Sequence, residues 1–268
     1  MGIINVTPDS FATAPSEFGA SLQEAQAQIE AGVDILDIGG MSTAPHAADV
    51  SPEDELARLV PFIKAVRQTI WGKSITISVD TFRAKVARQC IEAGATWIND
   101  VKAGANPQDE KGAMWKVAKE SGTPIILMHS RGDAKTMNTL AEYSSDPIQD
   151  IVREMTERVS EALEYGVKPW QIIVDPGFGF AKNAETNWTL LSRLEEFIQS
   201  RELQAYPCLI GTSRKRFLGS LTGKDPAERD GATAATCVEA VRQGAHIVRV
   251  HNPAAVIDAL KVADRLYR

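Results

Sequence analysis

Short runs of aliphatic and β-branched residues recur along the chain, each closed by polar side chains: Ile3-Ile4-Asn5, Ile75 to Asp80, Trp97-Ile98-Asn99-Asp100, Ile172 to Asp175, Cys208 to Lys215 and Ile247 to His251. Between these runs the apolar positions fall at helical spacing, as at Leu22, Ala25 and Ile29, at Leu56, Leu59, Val60, Ile63 and Val66, at Val86 and Ile91, and at Ile148, Ile151, Val152, Met155, Val159 and Leu163. The pattern predicts eight strands, at 2–7, 33–38, 75–80, 96–101, 124–129, 171–175, 207–212 and 245–251, each followed by a helix. Near-continuous apolar strands are buried on both faces, and strict alternation with helices makes their sheet parallel. Eight such units in 268 residues predict an α/β fold, a (β/α)8 TIM barrel in one domain spanning 1–268; about 250 residues is typical of it. An open doubly wound sheet is the alternative, but the glycine-rich dinucleotide fingerprint is missing after the first strand. In a barrel, the C-terminal ends of the strands and the loops that follow them build the active site. The polar residues that close the runs fall at that rim.

Each polar cluster also has an ordinary structural reading. Asn5-Val6-Thr7-Pro8-Asp9-Ser10-Phe11 contains plain turn chemistry, yet it enters a loop longer than the usual connection, as lids do. Asp37-Ile38-Gly39-Gly40-Met41-Ser42-Thr43-Ala44-Pro45 pairs glycines with hydroxyls, which suits close approach to phosphate, although Gly-Gly also marks simple turns and Asp37 reads equally as a buried structural carboxylate. Asp80 either caps the helix beginning near Arg83 or contacts a ligand, and the two are compatible. Asp175 is followed by Pro176-Gly177, which blocks an immediate helix and leaves its carboxylate projecting, with Phe178 and Phe180 available to wall a planar ligand. Asn99 can donate and accept together, as the edge of a heteroaromatic ring requires. His129 reads first as a satisfied core histidine, and Met128 as core filler or a surface for a flat ring. Arg249 and His251, two apart in a strand, face the same way if Val248 and Val250 face helices; buried cations need an anion, and a phosphate is the natural one.

Composition narrows the class without choosing the chemistry. With 44% hydrophobic and 24% charged residues the chain can bury one large core, and no linker, repeat or low-complexity segment divides it. A net charge of −6, with dispersed cations, argues against a nucleic-acid surface. Cys90, Cys208 and Cys237 lie far apart, without disulfide or zinc-ligand spacing, and read as small core residues of a soluble protein in a reduced compartment. No apolar run reaches the length of about 20 residues that a membrane span needs. The chain begins almost inside its first strand, which suggests a piece excised from a longer protein. The stripe near Ala232 to Val241 suits a homodimer interface or packing on the barrel equally well.

In their order along the chain, NVTPDSF, DIGGxSTxP, SVDTFRAxVA, INDV, LMHxRG, DPGFGFAK, GTSRKRFLG and RVH resemble the motifs of the dihydropteroate synthase family of pterin-binding TIM barrels, bacterial or fungal in type. The resemblance spans essentially the whole chain and implies a transferase of folate biosynthesis, a sulfonamide target. Such an enzyme condenses 6-hydroxymethyl-7,8-dihydropterin diphosphate with p-aminobenzoate, releasing diphosphate. It implies that Asp80, Asn99, Asp175 and Lys215 hold the pterin, with catalytic roles for Asp80, Asp175 and Lys215. Asp175 would accept from the 2-amino and N3 edge, and Lys215 would reach O4 and N5. Asn5, Thr43, Arg249 and His251 would bind diphosphate, with Mg²⁺ bridging Asn5 and the diphosphate oxygens. Ser213, Phe180 and two loops, Thr7, Pro8, Asp9, Ser10 and Phe11, and Met41, Ser42, Thr43, Ala44 and Pro45, would form the aminobenzoate pocket. One departure stands out: Met41 and Ala44 are apolar where many members carry a polar residue and Arg, which predicts a weaker hold on the aminobenzoate carboxylate and its sulfonamide mimics. The resemblance further implies small-molecule substrates, no nucleic acid or membrane, and fusion to other folate-pathway domains in some architectures. It implies a cytoplasmic place in a bacterium or a mitochondrial one in a eukaryote.

Two rival functions fit the motifs less well. A corrinoid-dependent methyltransferase on the same barrel would share Asp80, Asn99 and Asp175 but has no use for TPDSF, the Ser-Arg-Lys turn or the Arg-His pair. A catalytically silent barrel kept for assembly has no reason to retain that matched set.

Overall fold

The structure, a computed structural model, describes residues 1–6, 15–41, 50–133, 136–143 and 146–268. Six strands pair in chain order and all in parallel: β1 (Gly2–Asn5), β2 (Ile35–Gly39), β3 (Thr76–Asp80), β4 (Trp97–Asp100), β5 (Ile125–Met128) and β6 (Ile172–Asp175). A further parallel pair, β7 (Leu209–Ile210) and β8 (Ile247–Val248), closes the circle. Val174 N donates to Pro207 O at 2.9 Å on one side, and on the other Ile3 N donates to Val250 O and Val250 N to Met1 O, each at 3.0 Å. The eight strands therefore form the barrel that the hydrophobic pattern predicts, with regular pairing in β7 and β8 shorter than 207–212 and 245–251. Beyond Ile210 the chain leaves the sheet in a turn where Arg214 is left-handed, with φ 59°.

Helices follow each strand and cover the outside: α1 (Pro15–Glu30), α2 (Pro52–Gln68), α3 (Ala84–Ala93), α4 (Ala113–Ser121), α5 (Pro147–Glu164), the pair α6 (Ala184–Ser192) and α7 (Leu194–Ile198), the pair α8 (Arg216–Thr222) and α9 (Asp230–Arg242), and α10 (Ile257–Tyr267). Helices α2 and α5 start with the usual capping chemistry. Ser51 accepts the Asp54 N–H before Pro52, and Asp146 accepts the Ile148 N–H before Pro147, each at 3.0 Å. Outward-facing Ile4, Leu36, Ile38, Ile77 and Val79 pack with Leu59, Phe62, Ile63 and Val66 of α2. Val248 and Val250 pack outward with Cys237 and Val256, so Arg249 and His251 do face inward. All three cysteines are buried.

Side chains alternate along a strand, so one residue in two enters the barrel. The lower interior is apolar: Met1, Ile35, Ile126, Ile173 and Leu209 form one buried cluster, flanked by Trp97 and Ile247. Two residues further along each strand the same column turns polar or soft, from Ile35 to Asp37, Trp97 to Asn99, Ile126 to Met128, Ile173 to Asp175 and Ile247 to Arg249. Among the described residues, no helix is long and apolar enough to cross a membrane.

Candidate active site

Arg249, at the end of β8, is the centre of the polar interior. Its Nε donates to Asp37 Oδ2 at 2.5 Å and its Nη2 to Asp80 Oδ2 at 2.6 Å, while Asn99 Nδ2 donates to the same Asp37 oxygen at 3.1 Å. Asp37 is fully buried and so is a structural carboxylate that orients two neighbours. Burial pushes the Asp80 carboxyl up to about 7; Arg249 works against that shift, and the carboxylates of Asp37 and Glu55 add to it. These partners correct two expectations. Arg249 is not an unpaired cation, because the barrel already supplies two carboxylates. Asp80 does not cap α3, whose first N–H, on Ala84, is taken by Asp109 Oδ2 at 2.8 Å.

The turn after β7 is locked by the start of α9. Arg214 reaches Asp230 through Nε and Nη2 at 2.9 and 3.1 Å, and Arg229 Nη1 donates to the carbonyls of Arg214 and Lys215 at 3.0 and 3.3 Å. These bonds hold the left-handed Arg214 and aim Lys215, whose Nζ lies 4.3 Å from the centroid of the Phe180 ring. Burial brings Lys215 down to about 8, with Arg249 adding to the shift. Ser213 Oγ accepts the His251 backbone N–H at 3.1 Å and lies 3.0 Å from His251 Nδ1. His251 is pushed down to about 4, first by burial and then by Arg249, Arg214 and Lys215. It is thus a neutral imidazole in the free protein, which corrects its reading as a cation.

After β6 the backbone coils tightly through Gly177 (φ 72°), Gly179 (φ 75°) and Ala181 (φ 47°). A Cβ on Gly177 would lie 2.0 Å from His129 O, so both conformation and space demand glycine there. Asp175 Oδ1 accepts the Gly177 N–H at 2.7 Å, and no described residue donates to its Oδ2. Burial pushes Asp175 up to about 6, against the Gly177 hydrogen bond and the cations of Lys215, Arg249 and Lys182. Phe178 turns outward and is buried beside Phe217, with ring centroids 6.2 Å apart, so Phe180 alone of the two faces the mouth. His129 is buried as a satisfied histidine, its ring nitrogens engaged by Glu154 of α5 and by Lys182.

These elements surround a cavity of about 720 Å³ at the C-terminal mouth, lined by Asn5, Asp80, Phe180, Ser213, Lys215, Arg249 and His251 among others. Asn99 and Asp175 are buried among the interior polar groups rather than in its lining. Met41 reaches the cavity, with its Sδ 3.5 Å from Arg83 Nη1. Thr7, Pro8, Asp9, Ser10, Phe11, Ser42, Thr43, Ala44 and Pro45 lie outside the described residues. The sequence reading gives no role to Lys182, Arg229 or Asp230. Lys182 carries a signal in its place within DPGFGFAK, whereas Arg229 and Asp230 sit in no motif and become visible only through their partners.

Comparison with known proteins gives concordant results. Residues 1–251 match the family model described as pterin binding enzyme. A dihydropteroate synthase of Synechocystis is 45% identical over all of this chain and 90% of its own length. A folate synthesis bifunctional protein of Arabidopsis thaliana is 40% identical over 99% of this chain, which spans 56% of that longer protein. Among solved structures, the Yersinia pestis dihydropteroate synthase with a sulfonamide drug complex superposes with a TM-score of 0.89 at 36% identity, covering 99% of this chain and 93% of that one.

Proposed function

The chain belongs to the dihydropteroate synthases, within the pterin-binding enzyme family, and from that premise we infer how its barrel mouth divides the work. It is a transferase of folate biosynthesis that condenses 6-hydroxymethyl-7,8-dihydropterin diphosphate with p-aminobenzoate, giving 7,8-dihydropteroate and diphosphate. The observation that carries the division of labour is the convergence of Asn5, Asp80, Ser213, Lys215, Arg249 and His251 on one cavity beside Asp175 and Asn99.

In this reading the pterin enters edge first. The free Oδ2 of Asp175 accepts from its 2-amino and N3 groups, Asn99 contributes an amide, and Lys215 donates to O4 and N5 while Phe180 keeps it aimed. Arg249 retains donor capacity beyond its bonds to Asp37 and Asp80, and with His251 it meets the diphosphate. A bound polyanion favours the protonated form of His251, so the imidazole gains charge where leaving-group charge accumulates. As the C–O bond breaks, the electron pair leaves with diphosphate and the pterin methylene becomes cationic. The Asp80 carboxylate, held by Arg249 beneath it, stabilises that cation. The aniline nitrogen of p-aminobenzoate then forms the new C–N bond and gives up one of its two protons to solvent, so no protein nucleophile is required.

Asn5, exposed at the end of β1, would hold a Mg²⁺ ion arriving with the substrate through its amide oxygen, since this ion keeps several waters and is bound by few protein oxygens together with substrate phosphates. When bound, Mg²⁺ would neutralise diphosphate charge. Ser213, Phe180 and the two loops after β1 and β2 receive p-aminobenzoate, and sulfonamides compete there. We take residues 1–268 as one pterin-binding barrel, compatible with homodimers, with fusion to other folate-pathway domains, and with a soluble, reduced setting in cytoplasm or mitochondrion. Formation of labelled dihydropteroate from dihydropterin diphosphate and labelled p-aminobenzoate, abolished by omitting either substrate, is the expected result. Absence of product from folded protein with Mg²⁺ present would refute the assignment.

A further inference from the structure

Lys182 is buried beside the site and plays no part in the steps above. Its ammonium finds three acceptors, matching its three hydrogens: His129 Nδ1 at 2.9 Å, Gly177 O at 3.0 Å and Phe180 O at 3.1 Å. Two of these belong to the coil that presents Phe180 and follows Asp175. The coil is fastened elsewhere by Tyr143, whose OH donates to Ala181 O at 3.0 Å, and by Asn187, which accepts from Gly179 N at 2.7 Å and donates to Lys182 O at 3.2 Å. Lys182 adds a further tie, and it is the one that carries charge.

The third acceptor explains why a neutral histidine stands there. A lysine ammonium at Nδ1 requires a lone pair on that nitrogen, which puts the imidazole proton on Nε2, where Glu154 Oε2 accepts it at 3.0 Å. Glu154 is in turn held by Arg131 Nε at 2.9 Å and Nη2 at 2.5 Å. Burial, and then the Lys182 charge, push His129 down to about 4, in agreement with a neutral ring. We propose that Lys182 is a positioning residue for pterin binding: it fastens the Gly177–Phe180 coil and holds a positive charge near the Asp175 carboxylate, with His129 aiming it. The proposal rests on the reading of Asp175 as the acceptor of pterin N–H groups.

The charged groups that face Lys182 are Asp175 and Glu154, which favour the ammonium, and Arg131 and Lys215, which oppose it. Burial brings Lys182 down to about 7. Lys215, at about 8, also titrates in the alkaline range, so the acid side of the binding profile is the diagnostic one. A cation near a carboxylate lowers its pKa, so removing the Lys182 charge raises that of Asp175, and pterin binding is then lost at a higher pH as acid is added.

The experiment is calorimetric titration of the full chain with 6-hydroxymethyl-7,8-dihydropterin from pH 5 to 8, folding being checked by thermal melting. In Lys182→Met the acid limb of affinity should move up by about 0.5 to 1 pH unit, with affinity at pH 7 reduced about 3- to 10-fold. Lys182→Arg, which keeps the charge but not the convergent geometry, should lose affinity with the limb in its wild-type place. If the Met variant does not fold, Lys182→Gln carries the same expected shift. A folded neutral variant whose acid limb coincides with wild type overturns the proposal. Asp175→Asn in the same titration tests the underlying reading separately: unchanged affinity and an unchanged limb there would remove Asp175 from the site whatever Lys182 does.

Discussion

The lower and upper halves of the barrel interior are built on the same strands, two residues apart, and are chemically opposite. Below, Met1, Ile35, Ile126, Ile173 and Leu209 fill space and exclude water. Above, Asp37, Asp80, Asn99, Asp175 and Arg249 keep buried polar groups whose desolvation drives Asp80 and Asp175 toward neutral pH. The difference shows how one scaffold separates stability from chemistry. The lower layer needs shape alone, while the upper one tolerates its charges because Arg249 meets both Asp37 and Asp80 in a chain of direct bonds.

Breaking the upper layer at its centre should have the largest effect. Arg249→Leu leaves Asp37 and Asp80 without their shared cation and should cost about 3 to 5 kcal/mol of stability in denaturant unfolding. The same change should weaken diphosphate-bearing substrate more than the unphosphorylated pterin; equal losses would make Arg249 purely structural. In the lower layer, Ile173→Ala should cost about 2 to 5 kcal/mol through the cavity it leaves. Pterin affinity of the folded fraction should be unchanged, and a parallel loss of affinity would mean that the layers are not separable.

Two residues along the same strand the balance reverses. Asp175→Asn should leave the fold intact and remove about 1.5 to 3 kcal/mol or more of pterin binding, because an amide oxygen cannot replace a carboxylate accepting from two N–H groups. The wild-type dependence on pH follows from the same carboxyl. With Asp175 raised from 3.8 to about 6 in the free protein, pterin affinity should fall as pH drops below about 6. For stability the sign is opposite. A carboxyl raised by burial favours the folded state fully below 3.8 and loses that contribution as pH rises through about 6. Wild type should therefore lose stability relative to Asp175→Asn across this window, and a constant difference between the two melting curves would contradict the raised value. The smallest effect belongs to a position outside the described residues: Ala44→Arg should tighten p-aminobenzoate by about 1 kcal/mol with little change in pterin binding. Titration of both ligands against that variant checks it.

Periodicity was sufficient for the architecture. Helical spacing at Leu59, Ile63 and Val66 and β-branched runs such as Ile172 to Val174 report burial directly, since local repeat and the face buried are the same fact. The positions of Asp80, Asn99 and Asp175 at strand ends likewise place them at one rim once the barrel is known. Direction beyond a strand end was not legible: Phe178 and Phe180 look equivalent in the sequence, but the left-handed turns at Gly177 and Gly179 send one into the outer core and leave the other at the mouth.

The sequence by itself therefore determined the βα repeat, the rim at which the polar residues gather and, through the order of its motifs, the family. Only the tertiary structure decided which of those residues meet. Arg249 finds Asp37 and Asp80 from 212 and 169 positions away, and Lys182 finds His129 across 53. Spacing along the chain carries no information about such pairs, because closing the barrel brings side chains from different strands into desolvated surroundings where each charge must take whatever partner lies within hydrogen-bond reach.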